Sequence, residues 1–238
     1  MTDQELQRHI YSTYNSLRWG MIILAALTPV VVVLWGFCFN VKWQNSISAY
    51  YFANAADGDV VHPSYPVRVL FGGILFAVGA FLYLYKGFSR REDIALNVAG
   101  AAAVCVAMFP MCGQPDYIPF SRYVHFGSAV VLFACIGYTA IFCYKETLPL
   151  VADPSRRAWF RRTYVTIGWF MWVFPITGIV LAHLIDEVSQ QVYWIEAAGI
   201  WAFAAYWFTK NRELTETEAE KKGLAGTFSK HRPETDPK

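Results

Sequence analysis

Ser46, Ser48, His125, His183 and Glu196 are the side chains best placed by type to act on a substrate. A serine within reach of a histidine is a nucleophile beside its base. Two histidines and a carboxylate are ligand types of catalytic zinc, and two histidines on neighbouring helices are those of a bis-His haem. Spacing selects none of the three. The chain has no HExxH and no HxxxH, and no glycine-flanked elbow surrounds Ser46 or Ser48. The plain alternative is a set of interfacial hydrogen-bonding residues, with Glu196 paired to Arg68 or Arg122 and simply fixing helix packing.

These residues sit in a chain built for lipid. Of 238 residues, 55% are apolar, 17% aromatic and only 16% charged. A soluble domain carries about 25% charge, so a soluble enzyme, a disordered tail and a collagen-like fibre are excluded. A formal charge of +2 is too small to imply a nucleic-acid partner. The five cysteines form no CxxC pair and fall mostly inside apolar runs, which reads as helix filling rather than a disulfide or zinc framework.

A membrane span needs about 20 mainly apolar residues. Stretches 19–39, 67–85, 94–112, 123–144, 164–184 and 192–209 qualify, and in lipid runs of this kind must be helices. All 20 basic residues except Lys42, Arg68 and Arg122 fall on one face of that arrangement. The positive-inside rule then places both termini in the cytoplasm. The expected architecture is all-α: a polytopic integral protein of the inner (plasma) membrane with six transmembrane helices. Residues 1–18 carry Leu6, Ile10, Tyr14 and Leu17 on one stripe, and are expected to lie on the inner surface before turning into the first span. Residues 19–210 form the transmembrane domain, and 211–238 a largely disordered cytoplasmic tail.

The connection 40–66 is longer than the other outer loops and is rich in hydroxyls and aromatics, as in Asn45-Ser-Ile-Ser-Ala-Tyr-Tyr-Phe52. Such a composition reads as an ordered cap over the outer mouth of the bundle. His125, His183 and Glu196 lie at the outer ends of their spans. Ionisable groups at that depth normally face the bundle interior. Arg68, His125 and Glu196 are therefore expected to form a polar cluster closed from above by Ser46 or Ser48.

One family resemblance is carried by short motifs between about residues 19 and 210. They are Ser46-Ile-Ser48-Ala-Tyr50-Tyr51, Arg68-Val-Leu-Phe-Gly-Gly, Tyr85-Lys86-Gly87, Asn97-Val-Ala-Gly100, Phe109-Pro110, His125 and Trp194-Ile-Glu196. In these the chain resembles six-span bacterial membrane proteins related to the DRAM, Frag and Sfk type. Related groups include the CREST superfamily, whose ceramidase-like and adiponectin-receptor-like members use membrane-embedded zinc to cleave lipid amides. The resemblance implies a lipid-facing role, with lipid hydrolysis or remodelling as its enzymatic form. The last span here lacks the histidine pair of the zinc hydrolases.

The expectation is thus a lipid-binding or lipid-processing membrane protein. Ser46, Ser48, His125 and Glu196 are its candidate catalytic residues, and Tyr50, Tyr51 and Arg68 its candidate substrate contacts. His125 and His183 are the candidate ligands of zinc, or of haem as the further alternative. Membrane lipids are the expected partners. A non-enzymatic membrane subunit or sensor, assembling with itself or with other membrane subunits, is the reading from a different class.

Overall fold

The structure, a computed structural model, describes residues 2–54, 65–109, 111, 119–184 and 191–218. It is all-helical, with no β-strand among the described residues. Six helices follow one another: α1 (Asp3–Cys38), α2 (Pro66–Leu84), α3 (Arg90–Met108), α4 (Pro119–Phe142), α5 (Pro154–Leu184) and α6 (Gln191–Thr217). A 3-10 turn, Ser48–Tyr51, lies between α1 and α2, and two more, Cys143–Glu146 and Leu148–Leu150, link α4 to α5. Each helix packs on the next and α6 returns to α1, so the six close into a ring.

Segments within α1 (Glu5–Cys38), α2 (Pro66–Leu84) and α4 with its following turn (Phe120–Glu146) are long and apolar enough to cross a membrane. The outward faces agree with that. Ile23, Leu27, Val30 and Leu34 on α1, Val69 and Phe76 on α2, and Val173 and Ile176 on α5 are all exposed. A water-facing bundle would hide such side chains; a lipid-facing one turns them outward.

Local chemistry sets the helix limits. Thr2 and Glu5 form a reciprocal capping box at the start of α1, the Thr2 N–H donating to Glu5 Oε2 at 2.7 Å. Ser89 caps α3 by accepting from the Glu92 N–H at 3.3 Å. Pro29 lies inside α1, where its ring removes one backbone donor. Two aromatic donors from α6 reach the carbonyls of that stretch: Tyr193 donates to Pro29 O at 2.5 Å and Trp201 Nε1 to Ala26 O at 3.1 Å. These two bonds tie α6 to α1 on either side of the proline-disturbed turn.

Two boundaries differ from the sequence expectation. Residues 3–18, expected as a separate surface segment, share one helix with the first apolar run, since α1 runs unbroken from Asp3 to Cys38. Arg18, inside that helix, is fully buried, and its Nε donates to Asn211 Oδ1 on α6 at 2.8 Å. The same contact moves the C-terminal boundary. α6 continues to Thr217, and Lys210, Asn211, Glu213, Leu214 and Thr217 are all buried, so the helical bundle does not stop at residue 210. Residues 219–238 of the expected tail lie outside the described residues.

Candidate functional site

At one end of the ring the segment after α1 folds inward over α6. Glu196, in the second turn of α6, is the post it folds around. Its Oε2 accepts from the backbone N–H of Ile47 at 2.6 Å and of Ser48 at 3.3 Å, and its Oε1 accepts from Ser46 Oγ at 3.2 Å. Ser46 Oγ in turn accepts from the Ala49 N–H at 3.2 Å, which starts the 3-10 turn. Beneath the turn Val33, Val41, Ile47, Tyr50, Val67, Phe71, Tyr193 and Ala197 form an apolar cluster of their own. One carboxylate and one hydroxyl therefore fix three consecutive backbone donors of a segment that would otherwise be a loop.

His125 faces the same turn from α4. It is 3% exposed, and its Nδ1 lies 3.0 Å from Phe109 O and 3.2 Å from Val106 O. Both neighbours are carbonyl oxygens and can only accept, so Nδ1 carries the proton. In the neutral ring Nε2 then holds the lone pair, and it receives the hydroxyl of Ser48 at 3.2 Å. The carbonyls at the end of α3 thus hold the tautomer and the ring plane, and the ring presents a base to Ser48.

Ser46, Ser48, His125, Glu196 and Arg122 line one cavity of about 350 Å³. Apart from Thr28, the rest of its wall is apolar and drawn from every helix, including Phe71, Val78, Val106, Phe133, Phe174 and Phe203. Along α6 it extends from Val192 to Phe203, which at 1.5 Å per residue is about 16 Å. That is close to half the roughly 30 Å hydrocarbon core of a bilayer. Its two serines and its ionisable side chains come from the turn after α1 and from the first turns of α4 and α6.

Three expected substrate contacts lie elsewhere. Arg68 does not join His125 and Glu196. Its guanidinium stands over the rings of Tyr65, Tyr51 and Phe52, at 4.1, 4.8 and 5.2 Å, and its Nε donates to Tyr51 O at 3.4 Å. Aromatic faces, rather than any carboxylate among the described residues, take its charge. Tyr50 is fully buried between α1 and α6, accepting from the Gln44 N–H at 3.4 Å, and burial holds its phenol above the ordinary tyrosine pKa. Tyr51 packs on Phe71 and Arg68. None of the three lines the cavity, so the cluster expected from sequence is corrected by replacing Arg68 with Arg122.

The metal reading finds no support in the arrangement of His125, whose two nitrogens are held by carbonyls on one side and Ser48 on the other. Among the described residues no three His, Cys, Asp or Glu side chains come together as a metal site. The side chain of His183, in the last turn of α5, lies outside the described residues, as do Asp186 and Glu187.

A second polar cluster was not legible in the sequence. At the opposite end of the ring Lys210 Nζ lies 3.3 Å from Glu92 Oε1, and Tyr164 donates to Glu213 Oε2 at 2.5 Å. Arg18, Glu92, Lys210 and Glu213 are all buried. In sequence they stand in charged flanks that read as solvent-facing. Compared with known proteins, the chain matches no family model, no curated protein and no solved structure.

Proposed function

We propose that this chain is a six-span protein of the inner membrane with both termini in the cytoplasm, and that it binds a membrane lipid by its acyl chain. The supporting observation is the cavity: apolar, about one leaflet long, and closed at one end by Ser46, Ser48, His125 and Glu196. An acyl chain matches the wall, and the lipid's polar linkage then meets the hydroxyls and the imidazole. The distribution of basic residues supports an outer-leaflet position for that polar end. The resemblance of the Ser46–Tyr51 segment to the DRAM, Frag and Sfk type points to the same lipid-facing role.

The test is native mass spectrometry of the protein released from nanodiscs, comparing the wild type with Ala129→Phe. Ala129 lines the cavity from α4, one turn beyond His125. A phenyl group there fills space the acyl chain needs. The wild type should retain one lipid per chain through detergent exchange, and the variant should lose it while keeping its helical circular dichroism. Equal retention by both would mean that the lipid sits only on the outside of the bundle.

A further inference from the structure

We propose that Ser48 is a nucleophile activated by His125, and that the protein cleaves the carboxylic ester of a long-chain lipid whose acyl tail occupies the cavity. This rests on the lipid-binding reading and deepens it.

Three geometric facts carry the step. Ser48 Oγ is within hydrogen-bond reach of His125 Nε2, at 3.2 Å. The imidazole is oriented by two carbonyls on its far nitrogen, the place a carboxylate takes in a Ser-His-Asp triad. Both reacting groups open onto the polar end of the cavity, so an acyl chain lying in its apolar length delivers its carbonyl carbon to Ser48. The turn that bears Ser48 is held by Glu196 and Ser46 through the N–H groups of Ile47, Ser48 and Ala49. Glu196 is therefore a positioning residue here. It supplies the fixed geometry that a glycine-flanked elbow gives other serine hydrolases.

Because those three N–H groups are engaged, they cannot stabilise an oxyanion. Arg122 is the one Lys or Arg among the described lining residues. It sits three residues before His125 on the same face of α4, with its guanidinium 5.8 Å from the Phe126 ring. Its side chain is exposed, and in this reaction it is the cation that swings to the negative charge developing on the carbonyl oxygen.

The reaction balances with water as the second substrate. Ser48 Oγ bonds to the ester carbonyl carbon as its proton passes to His125 Nε2. The carbon–oxygen bond to the alcohol breaks, and the leaving oxygen takes that proton. Water then attacks the acyl-serine, giving a proton to Nε2, which returns it to Ser48 Oγ as the carboxylic acid leaves. An ester suits this site better than an amide, since an alkoxide departs with less help than an amine.

The test treats the full chain in nanodiscs with an alkyl fluorophosphonate, maps the adduct by peptide mass spectrometry, and measures p-nitrophenyl palmitate hydrolysis. The adduct is expected on Ser48. Ser48→Ala should lower turnover at least 100-fold and abolish labelling while retaining bound lipid, which shows that it folds. His125→Gln should slow labelling 100-fold or more. Ser128→Ala, on α4 outside the cavity wall, should label and turn over like the wild type. A wild type that retains lipid yet takes no adduct and hydrolyses nothing overturns the catalytic step and leaves the binding reading standing. An adduct on another serine, or full turnover by Ser48→Ala, overturns the assignment of the nucleophile. Loss of both lipid retention and reactivity overturns both readings.

Discussion

The carboxylate of Glu196 accepts from the backbone N–H of Ile47 at 2.6 Å, across 149 positions of sequence. One side chain of α6 thereby organises the turn that presents Ser48 to His125. Glu196→Gln keeps an oxygen that can accept from Ile47 and Ser48, and its amide can donate to Ser46 Oγ. The expected cost is about 1 kcal/mol, the difference between a charged and a neutral acceptor. Glu196→Ala strands two backbone donors and a hydroxyl, at about 1 kcal/mol or more each. Thermal unfolding in detergent should show a much larger drop in Tm for Ala than for Gln. Equal drops would mean that the turn is held by its apolar underside alone.

Glu196 was legible in the sequence because a lone carboxylate between apolar neighbours must face the interior or a partner. His125 was legible for the same reason. The partner was not. Arg68 shares their depth by sequence position, but three aromatic rings draw its guanidinium away, and Tyr51 and Phe52 act through a turn whose shape no periodicity encodes. In sequence Arg122 reads only as a packing partner for Glu196, although its three-residue spacing from His125 on a helix is the available signal. Six helices could be read from apolar run length, whereas the burial of Arg18 goes with a hydrogen bond to Asn211, 193 positions away, that run length does not encode. The burial of Glu92, Lys210 and Glu213 follows from how the ring closes. A charged flank gives no hint of it.

The proposed topology makes a separate prediction. Reporter fusions after Ser89, which caps α3, and after Asp153, which caps α5 by accepting from the Ser155 N–H at 2.9 Å, should report from the cytoplasm. A fusion at Asp57, between α1 and α2, should report from outside. A cytoplasmic signal at Asp57 would invert the orientation and move the polar end of the cavity to the inner leaflet.

Helices α2 and α3 touch through Gly79 and Gly100. A Cβ on Gly100 would stand 2.7 Å from Gly79 O, and one on Gly79 would stand 2.8 Å from Gly100 O. Backbone cannot step aside as a flexible side chain would, so the two helices must separate. Gly100→Ala should cost about 1–3 kcal/mol through that overpacking. Gly72 and Gly73, also on α2, have nothing within 4 Å of a built Cβ. Alanine at either should be neutral or stabilising by up to about 1 kcal/mol, since glycine is the poorer helix former. Tm values of the three variants decide it; a neutral Gly100→Ala would mean that the helices are not in contact there.

The last prediction concerns Lys210 and Glu92, a pair whose side chains are 2% and 0% exposed. Taking two charges out of water costs several kcal/mol per ion, and mutual attraction offsets this only while both are present. Lys210 lies 3.3 Å from Glu92 Oε1, with Thr147 Oγ1 at 3.4 Å as a further acceptor. Lys210→Met removes the cation and leaves the Glu92 carboxylate buried without it, an expected loss of about 3–5 kcal/mol. Glu92 has a second task, because its Oε2 accepts from the Phe88 N–H at 2.8 Å at the turn into α3. Glu92→Gln removes the charge and keeps that acceptor, so it is the right second change. The double variant Glu92→Gln with Lys210→Met should therefore unfold at a higher temperature than Lys210→Met alone, although it carries one more substitution. Strictly additive Tm losses would show that the two groups do not interact. In that event the closure of α3 toward the end of α6 would have to rest on apolar packing around Tyr85, Tyr206 and Trp207.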